Sequence, residues 1–278
     1  MSGLDLLLRM PQFDHAISGM LTLLAICSVR LAMVVLLFPP TDSSVLQPMV
    51  KTGVVMIFST YVAYGQPASL IDSLHGPALL ALGVREAVIG LVIGMAASSV
   101  FWTAQGAGAY VDDLTGYNNV QITNPNNPVT FTPTSMLFAQ IANAVFWTLG
   151  GMMVLLGVLY ESYHWWPLAS TTPVAANILE SFSMQQADTL MEGIAKLATP
   201  LMLVLLLVDI GLGLVSRAAP RLDLISLAQP IKGALIVFIL AQFVILFVEH
   251  LRGELTLQHL AERLHAMPWG SAASAAGR

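Results

Sequence analysis

Charged residues are scarce in this chain of 278 residues: they make up 10% of it, whereas apolar residues make up 56%. Soluble domains carry about 25% charged residues, so the composition excludes an ordinary soluble protein, and the apolar content excludes disorder. Basic residues number 11 against 16 acidic ones, which is the wrong balance for a nucleic-acid-binding protein. The single cysteine, Cys27, excludes a disulfide scaffold and a thiolate metal cage. The remaining classes are a polytopic membrane protein and a subunit buried within a larger assembly.

Sequence motifs for catalysis are also missing. The chain has no His-Glu-x-x-His, no Gly-x-Ser-x-Gly and no glycine-rich loop between a strand and a helix. Asp112 and Asp113 are adjacent carboxylates, but no histidine or third carboxylate lies in their loop, so a metal site is not expected. The sequence therefore predicts a protein that is not an enzyme and that has no catalytic, cofactor-binding or metal-binding residues.

Long apolar runs dominate what is present. A spanning helix needs about 20 apolar residues, because each residue rises about 1.5 Å across a hydrocarbon core about 30 Å thick. Six runs approach this length, and they predict an all-α, polytopic membrane protein of about six long helices in a single domain, 1–278, with a disordered tail at 268–278. The runs are 16–38, 49–64, 78–104, 136–160, 194–215 and 231–248.

Two stretches between these runs are predicted to be long loops. The first, 105–133, is rich in Gly, Asn, Asp, Thr and Pro and contains no Lys or Arg. The second, 161–192, contains Trp165-Trp166-Pro167 and a short amphipathic helix. Loops of this length in a compact protein are usually functional or disordered.

Two charges fall deep inside apolar runs, Arg30 in the first and Asp209 in the fifth. A charge at mid-depth in a bilayer costs at least about 2.5–3.5 kcal/mol. Such residues either form an ion pathway or are satisfied by a partner helix or a subunit interface, and no second buried carboxylate or histidine is expected beside them. Arg85 and Glu86, at the start of the third run, are expected at the membrane surface or in an intersubunit pair.

Small residues at Gly90 and Gly94 allow two helix backbones to approach closely. The spacing predicts tight helix packing without naming a partner.

The run Gly213-Leu-x-x-Arg217-x-Ala-Pro220-x-Leu, followed by Gln229-Pro-Ile-Lys232, resembles the T subunit of the type III secretion export apparatus, the SctT/FliR family. Arg85-Glu86 before Gly90 and Gly94 is a supporting mark, and the resemblance covers about residues 15–250. Ser216-Arg217 and Asp209 are more similar to the injectisome branch than to the flagellar branch.

This resemblance implies a subunit of an export gate in the bacterial inner membrane, within the secretion basal body and partly above the bilayer plane. Its helices would be arranged as hairpins in a helical assembly. The implied partners are R- and S-type subunits, a U-type switch subunit, an inner-rod or needle-adaptor protein, exported unfolded proteins and membrane lipid, but no nucleic acid. Surrounding subunits would explain why Lys and Arg divide only six to four between alternate sides of the predicted helices.

The resemblance further implies that the loop from Gly106 to Pro128 plugs the pore. Its glycines give conformational freedom, its asparagines favour turns, and its apolar residues can pack into a channel mouth; a solvated surface loop is the alternative. The candidate plug residues are Tyr110, Asp112, Asp113, Leu114, Gly116, Tyr117, Asn118 and Asn119.

Six charged residues are expected to support assembly with the other subunits. Arg217 is one of them, at the end of the fifth run, where it binds an acidic partner or lipid phosphate or extends to the membrane interface. The alternative to a gate subunit is a secondary transporter or ion channel that uses Arg30 and Asp209. The assembly candidates are Arg30, Arg85, Glu86, Asp209, Arg217 and Lys232.

Overall fold

The computed structural model describes residues 11–42, 45–67, 76–117, 122–124, 127–169, 176–218, 228–239 and 248–249. These residues are almost all helical, which confirms the predicted all-α class; the exception is a short antiparallel hairpin. The helices are α1 (Pro11–Leu37), α2 (Pro48–Tyr64), α3 (Pro77–Thr115), α4 (Pro133–Thr148), α5 (Gly151–Trp165), α6 (Ala176–Ala218) and α7 (Ala228–Ile239). The hairpin pairs β1 (Ile122–Asn124) with β2 (Asn127–Phe131). The tail at 268–278 lies outside the described residues.

Proline sets several helix boundaries. Helices α2, α3 and α4 begin at Pro48, Pro77 and Pro133, where a missing N–H is harmless because the first turn has no internal acceptor for it. Helix α1 ends at Leu37, just before Pro39-Pro40, because proline lacks the N–H and clashes with the preceding turn.

Within the described residues, three helical stretches are long and apolar enough to cross a membrane: Ile17–Leu37, Pro77–Thr115 and Phe182–Ala218. A fourth is possible if α4 and α5 form one broken span, since they meet at a bend of 74°. The predicted run 136–160 is therefore interrupted: the helix stops at Thr148 and Gly150 adopts φ +69°. The last predicted run, 231–248, is helical as far as Ile239, and 240–247 lies outside the described residues.

Both predicted loops are shorter than expected. The stretch 105–115 continues α3, and most of 161–192 belongs to α5 or α6. The reason at the first loop is packing: Gly106 and Gly108 lie where the helix closely approaches Ile194 and Ser135, so these glycines are interior contact positions. The helix stops only at Gly116, whose φ of +82° favours glycine.

The chain divides into two compact units. In the described residues of unit 1, 11–97 and 156–180, a core cluster contains Leu23, Ile26, Cys27, Val62, Ala63 and Leu168. In those of unit 2, 98–155 and 181–249, the rings of Phe101 and Phe146 meet edge to face at 5.7 Å within the buried core.

The predicted close approach at Gly90 and Gly94 occurs inside unit 1. A Cβ at Gly90 would lie 2.5 Å from the carbonyl oxygen of Arg30, and one at Gly94 would lie 3.2 Å from Leu37. The small residues of α3 therefore pack against α1 of the same chain, and this contact brings Arg30 next to α3.

Candidate functional site

A buried arginine cluster joins three helices of unit 1. The Arg30 side chain on α1 is completely buried, and its Nε donates to Glu86 Oε2 on α3 at 2.8 Å. Its other nitrogens donate to Ser162 Oγ on α5 at 2.9 Å and to the Trp166 carbonyl oxygen at 3.0 Å. Because a buried guanidinium is tolerated only when paired and hydrogen-bonded, this cluster fixes the contacts among α1, α3 and α5.

An aromatic ring completes the arginine cluster. The guanidinium carbon of Arg30 lies 3.9 Å from the centroid of the Tyr163 ring, a cation–π contact. The Tyr163 hydroxyl donates to the Cys27 carbonyl oxygen at 3.0 Å. The arginine thus has favourable contacts both at its edge and on its face.

The expected surface position of Arg85 and Glu86 is wrong. Glu86 has no exposed surface and Arg85 is 9% exposed; Arg85 donates to the Pro167 carbonyl oxygen at 3.1 Å. The expectation that no buried carboxylate would join Arg30 is also wrong, because Glu86 is that carboxylate. The cause is the Gly90 approach, which closes α1 onto the turn of α3 that carries Glu86.

A second buried carboxylate, Asp112, joins α3 to α4 in unit 2. Asp112 Oδ2 accepts from the backbone N–H of Thr134 at 2.8 Å and of Ser135 at 3.3 Å, and Oδ1 accepts from Thr134 Oγ1 at 2.6 Å. The first N–H groups of a helix have no internal acceptor and favour a negative charge. Asp112 therefore serves as a helix-capping carboxylate, and it is a buried helical residue and not part of the loop that the sequence predicted.

The region where α3 ends, Leu114–Tyr117, is termed the loop base. It contacts α7: Gln229 Nε2 donates to the Gly116 carbonyl oxygen at 2.7 Å, and Lys232 Nζ to that of Leu114 at 3.2 Å. Lys232 Nζ also lies 2.5 Å from Asp209 Oδ1 on α6. Asp209 is thus paired within unit 2, with its side chain 44% exposed.

The remaining candidates are dispersed. Tyr110, Asp113 and Leu114 lie on the last turns of α3 with exposed side chains, in a helix and not in the predicted loop, and Tyr117 is half-buried. Arg217 is exposed on the last turn of α6, a position that favours a cation. Asn118 and Asn119 lie outside the described residues.

Sequence reasoning missed the neutral partners of these charges. Ser162, Tyr163, Thr134 and Gln229 are ordinary residues whose roles depend on contacts with residues more than 20 positions away. The only local signal was at Gln229, which belongs to the recognised Gln-Pro-Ile-Lys run. Among the described residues, no group of three His, Cys, Asp or Glu side chains could hold a metal ion.

Apolar helices long enough to span a bilayer, with buried charges paired inside the chain, define a helical polytopic membrane protein. Residues 21–257 match the family model described as "Bacterial export proteins, family 1". The chain belongs to this family and is a non-enzymatic component of a bacterial export apparatus.

Individual relatives agree with this assignment. The chain is 31% identical over 205 residues to Yop proteins translocation protein T of Yersinia pestis, covering 73% of this chain and 77% of that protein. It is 30% identical over 161 residues to secretion system apparatus protein SsaT of Salmonella typhimurium, covering 58% and 62% of the two chains. Identity to the flagellar biosynthetic protein FliR of Escherichia coli is 24% over 222 residues, covering 79% and 84%. The resemblance to the T subunits is confirmed, and the similarity is greater to the secretion-system proteins than to the flagellar one.

Proposed function

We propose that this chain is the T-type subunit of a type III secretion export gate and that it helps to form and close the entrance pore for unfolded proteins at the inner membrane. The loop that follows α3 acts as the plug. The observation that carries this proposal is the Asp112 cap, which joins Thr134 and Ser135 at the start of α4 to the end of α3. A movable plug needs such a fixed base, because only then can the loop change position without separating its flanking helices.

Close packing between α3 and α4 supports a loop that moves while these two helices stay in place. Gly108 is in such close contact with α4 that a Cβ there would lie 2.6 Å from the backbone nitrogen of Ser135. The end of α3 is therefore packed backbone to backbone against α4, whereas the described part of the loop beyond Gly116 contains the short pairing of β1 with β2. A two-stranded hairpin alone is marginally stable, so it rearranges at a smaller cost in free energy than the helices do.

Helix length supports a position partly above the bilayer. Helix α3 has 39 residues and α6 has 43, which correspond to about 58 Å and about 65 Å at 1.5 Å per residue. The hydrocarbon core is only about 30 Å thick. Parts of both helices therefore extend into the headgroup region or beyond it, where other gate subunits of the R, S and U types and the rod or needle-adaptor protein would surround them.

Exposed apolar side chains supply surfaces for those subunits or for lipid. Leu203, Leu207, Ile210 and Leu214 are exposed on α6 at helical spacing, with exposed fractions between 55% and 74%. Arg217 lies one turn further on and is positioned to bind an acidic partner or lipid phosphate. The transporter alternative uses Arg30 and Asp209 as an intramembrane site, and each of these residues has an ion-pair partner within the described chain.

The plug is tested by replacing residues 118–130 with a short Gly-Ser linker in the assembled export complex, which leaves Asp112 and Thr134 in place. We expect the ion conductance of the complex in planar bilayers to rise severalfold with the partner subunits still bound. A Gly-Ser loop of the original length is the matched control for length: it keeps the length and removes the side chains, and it should leak as well if those side chains make the seal. An intact ion barrier in the shortened variant would contradict the plug.

Partner binding is tested separately with Arg217→Ala and Arg217→Lys. If the guanidinium recognises a carboxylate or phosphate through paired hydrogen bonds, both variants should reduce co-purification of the partner subunits, and the Ala variant should reduce it more. Unchanged recovery of the complex and unchanged secretion would contradict an assembly role for Arg217.

A further inference from the structure

Helix α7 supplies hydrogen-bond donors to the carbonyl groups at the end of α3. The last four carbonyl groups of a helix have no donor within the helix. One of them, the carbonyl of Leu114, receives a side-chain donor from Lys232, and the carbonyl of Gly116, the first residue after the helix, receives one from Gln229. The end of α3 is thus held by another helix.

The two donors share one face of α7. Gln229 and Lys232 are three residues apart, a spacing that puts side chains on the same side of a helix. Gly233 extends this face, and the Tyr117 hydroxyl lies so close to it that a Cβ there would collide with the ring. Three contacts on one face of α7 therefore join this helix to the loop base.

Lys232 has a further partner on a third helix. Its side chain is only 14% exposed, and its ammonium group contacts Asp209 on α6 as well as the Leu114 carbonyl. A lysine ammonium has three N–H donors, so one group can serve a carboxylate and a carbonyl at once. An ammonium that is mostly removed from water needs such partners.

We infer that Gln229 and Lys232 are positioning residues that hold the loop base in place; these two side chains are termed the α7 clamp. The inference deepens the proposed plug and rests on it for its consequence in transport. Asp209 orients Lys232, while the hydrogen bonds to Leu114 and Gly116 do the holding. A movement of α7 that withdraws both donors would remove these two side-chain contacts from the carbonyls of Leu114 and Gly116 and would free the start of the loop.

The holding function is measured by hydrogen exchange and mass spectrometry on the assembled export complex, in peptides that cover residues 110–117. In Lys232→Met, exchange there should become about tenfold faster, a factor that corresponds to about 1.4 kcal/mol. Lys232→Arg retains N–H donors, so residues 110–117 should exchange in this variant nearly as fast as in the wild type. Peptides from α1 serve as the internal reference and should not change.

A matched pair of variants separates the clamp from a simple ion pair. Gln229→Leu removes the donor to Gly116 but leaves Lys232 and Asp209 untouched, whereas Asp209→Asn removes the charge pair and leaves both donors. The clamp predicts faster exchange in Gln229→Leu than in Asp209→Asn. The opposite order, or wild-type exchange in both Lys232→Met and Gln229→Leu, would overturn the inference. Gln229→Leu keeps the test decisive if Lys232→Met fails to assemble.

Ion conductance of the same complexes distinguishes this inference from the proposed plug. Faster exchange together with raised conductance supports both. Faster exchange with an intact ion barrier supports the clamp and counts against the plug. Leakage in the shortened loop, with unchanged exchange in the clamp variants, supports the plug and overturns the clamp.

Discussion

An ion pair between helices is present in the described part of each unit, and the two pairs differ in burial. Arg30 and Glu86 have no exposed side-chain surface, whereas Lys232 is 14% exposed and Asp209 is 44% exposed. A buried pair is costly to break because each partner is left as an uncompensated charge, while water can replace the partners of an exposed one. The difference predicts that the joint among α1, α3 and α5 is harder to open than the joint among α3, α6 and α7.

The largest effect is expected from breaking the buried pair. Glu86→Gln leaves Arg30 without a counter-ion and should destabilise the protein by about 3–5 kcal/mol, seen as loss of assembled complex in co-purification. The double variant Arg30→Met with Glu86→Leu removes both charges, so it should recover more complex than Glu86→Gln does. Equal losses in the single and double variants would show that the hydrogen bonds to Ser162 and Trp166 matter more than the charge pair.

A substitution at Gly90 tests the close packing of α1 against α3 at the same joint. Gly90→Ala places a Cβ against the carbonyl oxygen of Arg30, a backbone atom that cannot turn away, and overpacking of this kind costs about 1–3 kcal/mol. Gly83 lies on the same helix, and a Cβ at that position would have no neighbouring atom within 4 Å. The thermal unfolding temperature of the purified complex should fall in Gly90→Ala but not in Gly83→Ala, and equal unfolding temperatures would contradict the close approach.

The Asp112 cap should give an intermediate effect. Asp112→Ala leaves the N–H groups of Thr134 and Ser135 without their acceptor, at a cost of about 1–2 kcal/mol by analogy with other helix caps. Limited proteolysis of the assembled complex should cut faster near the start of α4, while α1 keeps its resistance. Asp113→Ala is the matched control, because the neighbouring carboxylate is exposed; faster cleavage in that variant too would indicate a general charge effect.

The smallest effect is expected from breaking an ion pair that is well exposed. Glu192 and Lys196 form an ion pair one turn apart on α6, with both side chains well exposed. Lys196→Ala should change neither complex yield nor unfolding temperature measurably, since exposed pairs contribute little. A clear loss would show that another subunit covers this part of α6.

Sequence pattern was sufficient for the helical class and for the small-residue contact at Gly90, because both depend on local spacing. The extent of α3 was mispredicted, since Gly106 and Gly108 are typical of loops and only their packing against Ile194 and Ser135 accounts for a helix there. The partners of Arg30 were also beyond local reasoning, because Ser162 lies 132 residues away. The family run identified Lys232 as a marked residue, but its two acceptors are visible only in the folded chain.

Cys27 is the only cysteine of the chain, and no part of it is exposed within unit 1. Thiol reagents react with an accessible thiolate, and a thiol enclosed by apolar side chains is inert. The native chain is therefore not expected to react with maleimide reagents or spin labels. A cysteine introduced at exposed Tyr110 or Asp113 would be the sole reporter without removal of Cys27, so the accessibility of that position can be followed during export in an otherwise unaltered protein.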